Sequence, residues 1–172
     1  WSVIESIPLH NDIKTRTGNY LQYIENYKES IKNAGEAGVD TICYNFMPVV
    51  DWTRTNLNYK LPNNSQALRF EMTDFVAYDV YMLKRSGAEQ DYSQELKDKA
   101  LSRLNNMNEQ EKVLLEQNII AGLPGGEGSY SRESIKEAIE QFIQLGTEGL
   151  RKNLFLFLEA IIPVAEAHNV KM

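Results

Sequence analysis

Residues 41–55 read TICYNFMPVVDWTRT, a stretch that begins as a buried strand and ends in amide, carboxylate, indole and guanidinium groups. The β-branched and aromatic residues of Val39 to Phe46 predict a strand. Upstream, Asn19 to Ala37 predicts a helix, because Tyr20, Tyr23, Ile24, Tyr27, Ile31 and Ala34 fall on one 3.6-residue stripe. Asn19 is placed to cap its start, and Gly38 to take the left-handed position after its end. Further upstream, Trp1 to Glu5 is a short β-type run that stops at Ser6-Ile7-Pro8. The polar residues His10 to Gly18 predict a loop. Strand, helix, glycine, strand is a βαβ unit, so the strands are expected to be parallel with a right-handed crossover. The segments after each strand, Glu5 to His10 and Asn45 to Arg54, then share one sheet edge, where α/β proteins place their chemistry. The fold class is α/β.

Downstream the rhythm breaks. From Met47 to about Gly149 the connection far exceeds the roughly 2–6 residues usual between strand and helix. It predicts helices of its own: Asn64 to Lys84, Ser93 to Asn105 with Ser93 as cap, one opened by Asn108-Glu109-Gln110-Glu111 in the manner of a capping box, and Ser131 to Leu145. A last helix, Leu150 to His168, contains Pro163, which is expected to kink it. Val170 opens a presumed third strand. Neither repeats nor low-complexity tracts stand out.

The 172 residues carry a formal net charge of −6. That balance lacks the basic face expected of a nucleic-acid binder. The longest apolar runs, such as Leu154 to Leu158, fall far short of the roughly 20 residues of a membrane span. A single cysteine, Cys43, forms no internal disulfide and fits a reducing, cytoplasmic setting; in mid-strand it reads as a small buried hydrophobe. Both termini read as interior points of a larger protein.

Asn45, Asp51, Trp52 and Arg54 are the leading binding candidates. Arg54 could fork a carboxylate, Asn45 and Asp51 could bond hydroxyls, and Trp52 could form an apolar wall. The plainer alternative is an Asp51–Arg54 pair capping a helix. Glu5, at the first strand end, is either a proton-transfer or hydroxyl-binding group or a buried glutamate satisfied by its neighbours. His10 is a ligand contact or acid/base, or else an exposed loop residue. His168 reads as a helix-end cation. The segment 122–128, GLPGGEG, lacks a preceding strand and a following Gly-Lys-Ser/Thr, so it reads as a hinge rather than a phosphate loop. With two histidines and one cysteine, no metal-ligand spacing is visible.

Together WSVIESIPLHNDIKTRTGNY, IENYKESIKNAGEAGV, TICYNFMPVVDWTRTNLNYKLPNNSQALRF, LKRSGAEQDY, NIIAGLPGGEGSY and NLFLFLEAIIPVAEAHNVKM carry a further signal. The chain resembles the mannonate dehydratase family over essentially its whole length. The resemblance implies a (β/α)8 TIM barrel of the xylose-isomerase kind. Residues 1–172 would then be part of that barrel, from the second strand to the start of the fourth, with a helical insertion over about 55–149 after the third. It implies dehydration of D-mannonate to 2-keto-3-deoxy-D-gluconate in glucuronate catabolism, with Mn(II) or Fe(II) stabilising developing negative charge, and a cytoplasmic homodimer. The family's His, Cys and Asp ligands and its acid/base residues lie on later strands, so none is carried over to this sequence. What is carried over is a substrate-side role for Asn45, Asp51, Trp52 and Arg54, with Glu5 and His10 behind them. Three partial strands with open edges are expected to aggregate and to lack turnover in isolation. Two rivals stay open: another metal-dependent sugar isomerase or epimerase of the same fold, and a non-catalytic helical interaction module built on Asn64 to Leu145.

Overall fold

Val3–Ile4 (β1) and Thr41–Ile42 (β2) pair in parallel, with Val3 opposite Thr41 and Ile4 opposite Ile42. On the other side of β2, Thr41 forms a parallel bridge with Lys171: Lys171 N–H donates to the Asp40 carbonyl and Ile42 N–H to the Lys171 carbonyl, each at 2.8 Å. The three segments therefore run the same way, as the βαβ reading requires. This computed structural model describes residues 1–50, 52–121 and 130–172. These residues divide into two units, 1–50 with 138–172 and 52–121 with 130–137. The arrangement is mixed α/β.

The first unit is built on the amphipathic helix α2, Tyr20–Glu36, which buries Ile24, Tyr27, Ile31 and Ala34. Gly38 follows at φ +82, a conformation that side chains resist. Asn19 makes no side-chain cap; instead its N–H donates to Asp12 Oδ2 at 3.1 Å. The expected loop at 10–18 holds a short helix, α1, Asn11–Thr15. Both strands are shorter than their β-rich sequences suggest. The last rung between them is Cys43 N–H donating to the Ile4 carbonyl, and the chain bends at Glu5 directly after β1. Cys43 is exposed, which corrects the expectation of a buried thiol.

The helical run Arg132–Ala167 (α7) holds the two helices expected there, one on either side of Gly146. Its backbone leaves helical dihedrals at Gly146 (φ 68, ψ 171), and Pro163 lies within the helical run. Its C-terminal half buries Phe157, Ile161 and Ala165 against α2 residues and Ile42. Tyr27 meets Phe157 edge-on at 5.1 Å. Complete burial of such a ring contributes about 1.5–3 kcal/mol.

The second unit departs from expectation at its start. Asn56–Lys60 (β3) and Gln66–Arg69 (β4) form an antiparallel hairpin with an irregularity between Asn56 and Tyr59. The helix expected from Asn64 therefore begins only at Met72 (α3, Met72–Val76) and continues as a π-helical turn, Ala77–Met82. Ala88–Asp91 (α4), Gln94–Asn105 (α5) and Glu109–Ile120 (α6) follow. Ser93 Oγ accepts from Leu96 N–H, and the Asn108–Glu111 capping box is closed in both directions. Val76, Ala77, Val80, Ala88 and Ala100 form this unit's core. Within it the buried Asp79 accepts from Arg85 Nε at 2.9 Å, Arg85 Nη2 at 2.8 Å and the Tyr92 hydroxyl at 2.8 Å.

Candidate functional site

The strand exits of the first unit carry three of the six predicted site residues. Glu5 follows β1 directly and is exposed. Asn45 lies three residues past β2 and is half-buried. Its neighbours Tyr44 and Phe46 both pack on Phe157, at ring distances of 6.4 and 5.7 Å, and so fix the chain on either side of it. Beyond Pro48, Val49 sits at φ +60, which is strained for a β-branched residue.

His10 is the most closely defined of the three. Its Nδ1 accepts the Asp12 N–H at 3.0 Å and so caps α1. The Asp12 carboxylate lies 3.8 Å from the same nitrogen. The ring stacks on Tyr23 at 3.9 Å with an interplanar angle of 12°. α1 is itself anchored, since Asn153 Nδ2 donates to the Lys14 carbonyl at 2.9 Å in a buried contact. His10 is thus no exposed loop residue.

Trp52 and Arg54 belong to the second unit. Trp52 is exposed and Arg54 half-buried. Arg54 Nη1 donates to the Trp52 carbonyl, and its guanidinium carbon is 6.0 Å from the Trp52 ring centre. Thr55 holds this pair in place: its hydroxyl accepts from Glu71 N–H at 2.9 Å, and Asn118 Nδ2 donates to its carbonyl at 3.0 Å. Asp51 lies outside the described residues, as does the glycine-rich stretch at 122–128. The structure therefore unites Trp52 with Arg54 and gives His10 a defined geometry.

Sequence reasoning missed Lys14. It is 5% exposed, and its ammonium donates to Asn11 Oδ1 at 3.2 Å. The Asn11/Lys14 spacing of one helical turn was the available signal, hidden while 10–18 read as a loop. It also missed Tyr23 as the partner of His10.

A bound divalent metal needs several donors at one point. Among the described residues no three of His, Cys, Asp and Glu gather in that way. These residues do not fit a metal centre. Among them, too, no helix is long and apolar enough to cross a membrane.

The chain matches the family model described as D-mannonate dehydratase (UxuA) over residues 1–172. It is 71% identical over its whole length to a mannonate dehydratase of Saccharophagus degradans, covering 43% of that protein. Identity is 51%, again over the whole chain, to a mannonate dehydratase of a Marinomonas species, covering 44% of it. The crystal structure of mannonate dehydratase from Streptococcus suis serotype 2 superposes with a TM-score of 0.59 at 35% identity, over 99% of this chain and 35% of that one. The chain thus spans less than half the length of the curated relatives it matches. With a family model that runs from the first residue to the last, the chain belongs to the D-mannonate dehydratase family.

Proposed function

We propose that the protein containing this chain removes water from D-mannonate to give 2-keto-3-deoxy-D-gluconate. The carrying observation is the match over residues 1–172 to the D-mannonate dehydratase family. In this reaction the proton beside the carboxylate leaves to a base, the neighbouring hydroxyl departs as water with a proton from an acid, and the resulting enol becomes the ketone. The chain's own part is to bind and orient the sugar acid at its strand exits. Glu5, His10, Asn45, Asp51, Trp52 and Arg54 are the residues assigned to that role.

The accompanying fold is a (β/α)8 barrel of the xylose-isomerase kind, supported by the three parallel segments β1, β2 and Lys171. In it these segments are the second, third and opening fourth strands, and residues 55–149 are the insertion after the third. The family resemblance further supports Mn(II) or Fe(II) held by the remainder of the longer protein, a cytoplasmic homodimer, and a place in glucuronate breakdown. The test is turnover of D-mannonate by the full-length protein, stripped with chelator and then reloaded with Mn(II) or Fe(II). Formation of the 2-keto-3-deoxy product is expected. Isomerisation of an aldose without any action on D-mannonate would overturn the proposal.

A further inference from the structure

Asn153 occupies a place in α7 that packing alone would give to an apolar residue. On the C-terminal half of the helix the residues turned to the core recur at every fourth position: Asn153, Phe157, Ile161 and Ala165, all buried. Phe157, Ile161 and Ala165 fill the core of the first unit, whereas Asn153, 7% exposed, puts a carboxamide into the same row. Burying such a group costs stability unless it is hydrogen-bonded. The amide reaches across the fold: Nδ2 donates to the Lys14 carbonyl at 2.9 Å, 139 positions away in sequence. That carbonyl lies in the last turn of α1, where a helix leaves its carbonyls without intrahelical partners. A second tie comes from the other side of Gly146, where Gln141 Nε2 donates to Thr17 Oγ1 at 3.3 Å.

Both strand exits thus meet one face of α7. Phe157 packs against Tyr44 and Phe46, which flank Asn45 at the exit of β2. One turn earlier, Asn153 holds α1, which follows the exit of β1 and is capped by His10. A hydrogen bond constrains direction as well as distance, which apolar packing does not. We infer that Asn153 is a positioning residue for the sugar-acid site: it holds α1, and with α1 the exit of β1, in register with the exit of β2, and touches no substrate itself. The inference rests on the dehydratase reading above. A displacement on the order of 1 Å in a reacting geometry costs about a hundred-fold in rate.

Three variants of the full-length protein test it. Asn153→Leu keeps roughly the volume of the side chain and removes the amide. Asn153→Asp keeps its shape, removes the N–H donor, and serves if the leucine variant does not fold. Ile161→Val thins the same buried row further along the helix and gives the effect of lost packing alone. Each is assayed for kcat and KM on D-mannonate, for its urea unfolding midpoint and for amide exchange over residues 10–18. The Asn153 variants should lose about ten- to a hundred-fold in kcat/KM, mostly in kcat, with faster exchange over 10–18. Ile161→Val should lower the midpoint and leave kcat/KM and that exchange near the original. Unchanged kcat/KM or unchanged exchange in the Asn153 variants overturns the inference. So does an equal loss of kcat/KM in Ile161→Val, or failure of both Asn153 variants to fold, since either would make the role structural. All of these leave the dehydratase reading standing. An unsubstituted protein that neither binds nor turns over D-mannonate refutes that reading, and the inference with it.

Discussion

Replacing Gly35 by alanine sets two effects of opposite sign against each other. Gly35 lies in the last turn of α2, where alanine is the better helix former by at most about 1 kcal/mol. A Cβ there would lie 2.8 Å from the His168 carbonyl oxygen, 3.0 Å from His168 Cβ and 3.1 Å from Val170 Cγ2. The nearest of these is backbone and cannot swing aside. His168 N–H donates to the Val164 and Ala165 carbonyls, and Val170 N–H to the Ala165 carbonyl at 2.8 Å. Moving His168 therefore pulls on Val170 and on the bridge from Lys171 to Thr41. Overpacking of this kind costs about 1–3 kcal/mol. Less a propensity gain of about 1 kcal/mol, Gly35→Ala should destabilise by up to about 2 kcal/mol. The assay is urea unfolding of the full-length protein, with amide exchange of Ile42, whose N–H is bonded to the Lys171 carbonyl. Faster exchange at Ile42 should accompany the lower midpoint. Gly38→Ala is the control: it faces open space at φ +82 and should lose about 1 kcal/mol through backbone strain alone, with Ile42 unchanged. A Gly35→Ala midpoint at or above the original would refute the close-approach argument.

Asp79→Ala strands the Arg85 guanidinium and the Tyr92 hydroxyl, and should cost about 3–5 kcal/mol in urea unfolding; a loss under about 1 kcal/mol would mean the network is not a structural clasp. Asn108→Ala opens the capping box of α6 and should cost about 1 kcal/mol, seen as faster exchange of the Glu111 amide. Among the described residues the buried Tyr78 hydroxyl has no hydrogen-bond partner, so Tyr78→Phe should leave stability unchanged or slightly raised. Burial, and then nearby Glu116, push the Tyr78 phenol up to about 12; burial, and then the bond to Asp79, push Tyr92 up to about 12. An unfolded tyrosine ionises near 10, so the folded state holds these protons longer. Their contribution is full below pH 10 and should vanish as pH rises from about 10 to 12. Tyr78→Phe should flatten that alkaline loss, and an unaltered pH profile would count against burial as its cause.

What was legible in the sequence was local. The stripe of α2, the cap at Ser93 and the Asn108–Glu111 box depend on residues within a turn or two of each other, and all three stand in the structure. The hairpin was missed because Leu68 and Met72 extend a helical spacing backward from Phe75 and Val76. The competing signal was present in Pro62-Asn63-Asn64-Ser65: Asn63 Oδ1 accepts from Ser65 N–H, and Asn64 turns the chain at φ +65. Pro163 was expected to kink the last helix, whereas the non-helical dihedrals fall at Gly146, between the two helices predicted there. Asn45 and Arg54 were nominated as binding candidates from residue type and position alone. The geometry of His10 could not be read that way, because it depends on Tyr23 and Asn153, partners set by tertiary packing.

The position of β2 between β1 and Lys171 also sets a timetable for synthesis. Pairing with β1 becomes possible once α2 has formed, a crossover of about 38 residues. The second edge of Thr41 waits for Lys171, which emerges about 130 residues later, roughly 7–25 s at ordinary elongation speeds. During that interval the chain from 52 to 121, whose hairpin and helices rest on nearer contacts, can fold on the ribosome while one edge of β2 is still bare. The hairpin and helices of residues 52–121 can thus form before β2 gains its second neighbour, and until then that edge of β2 stays unpaired.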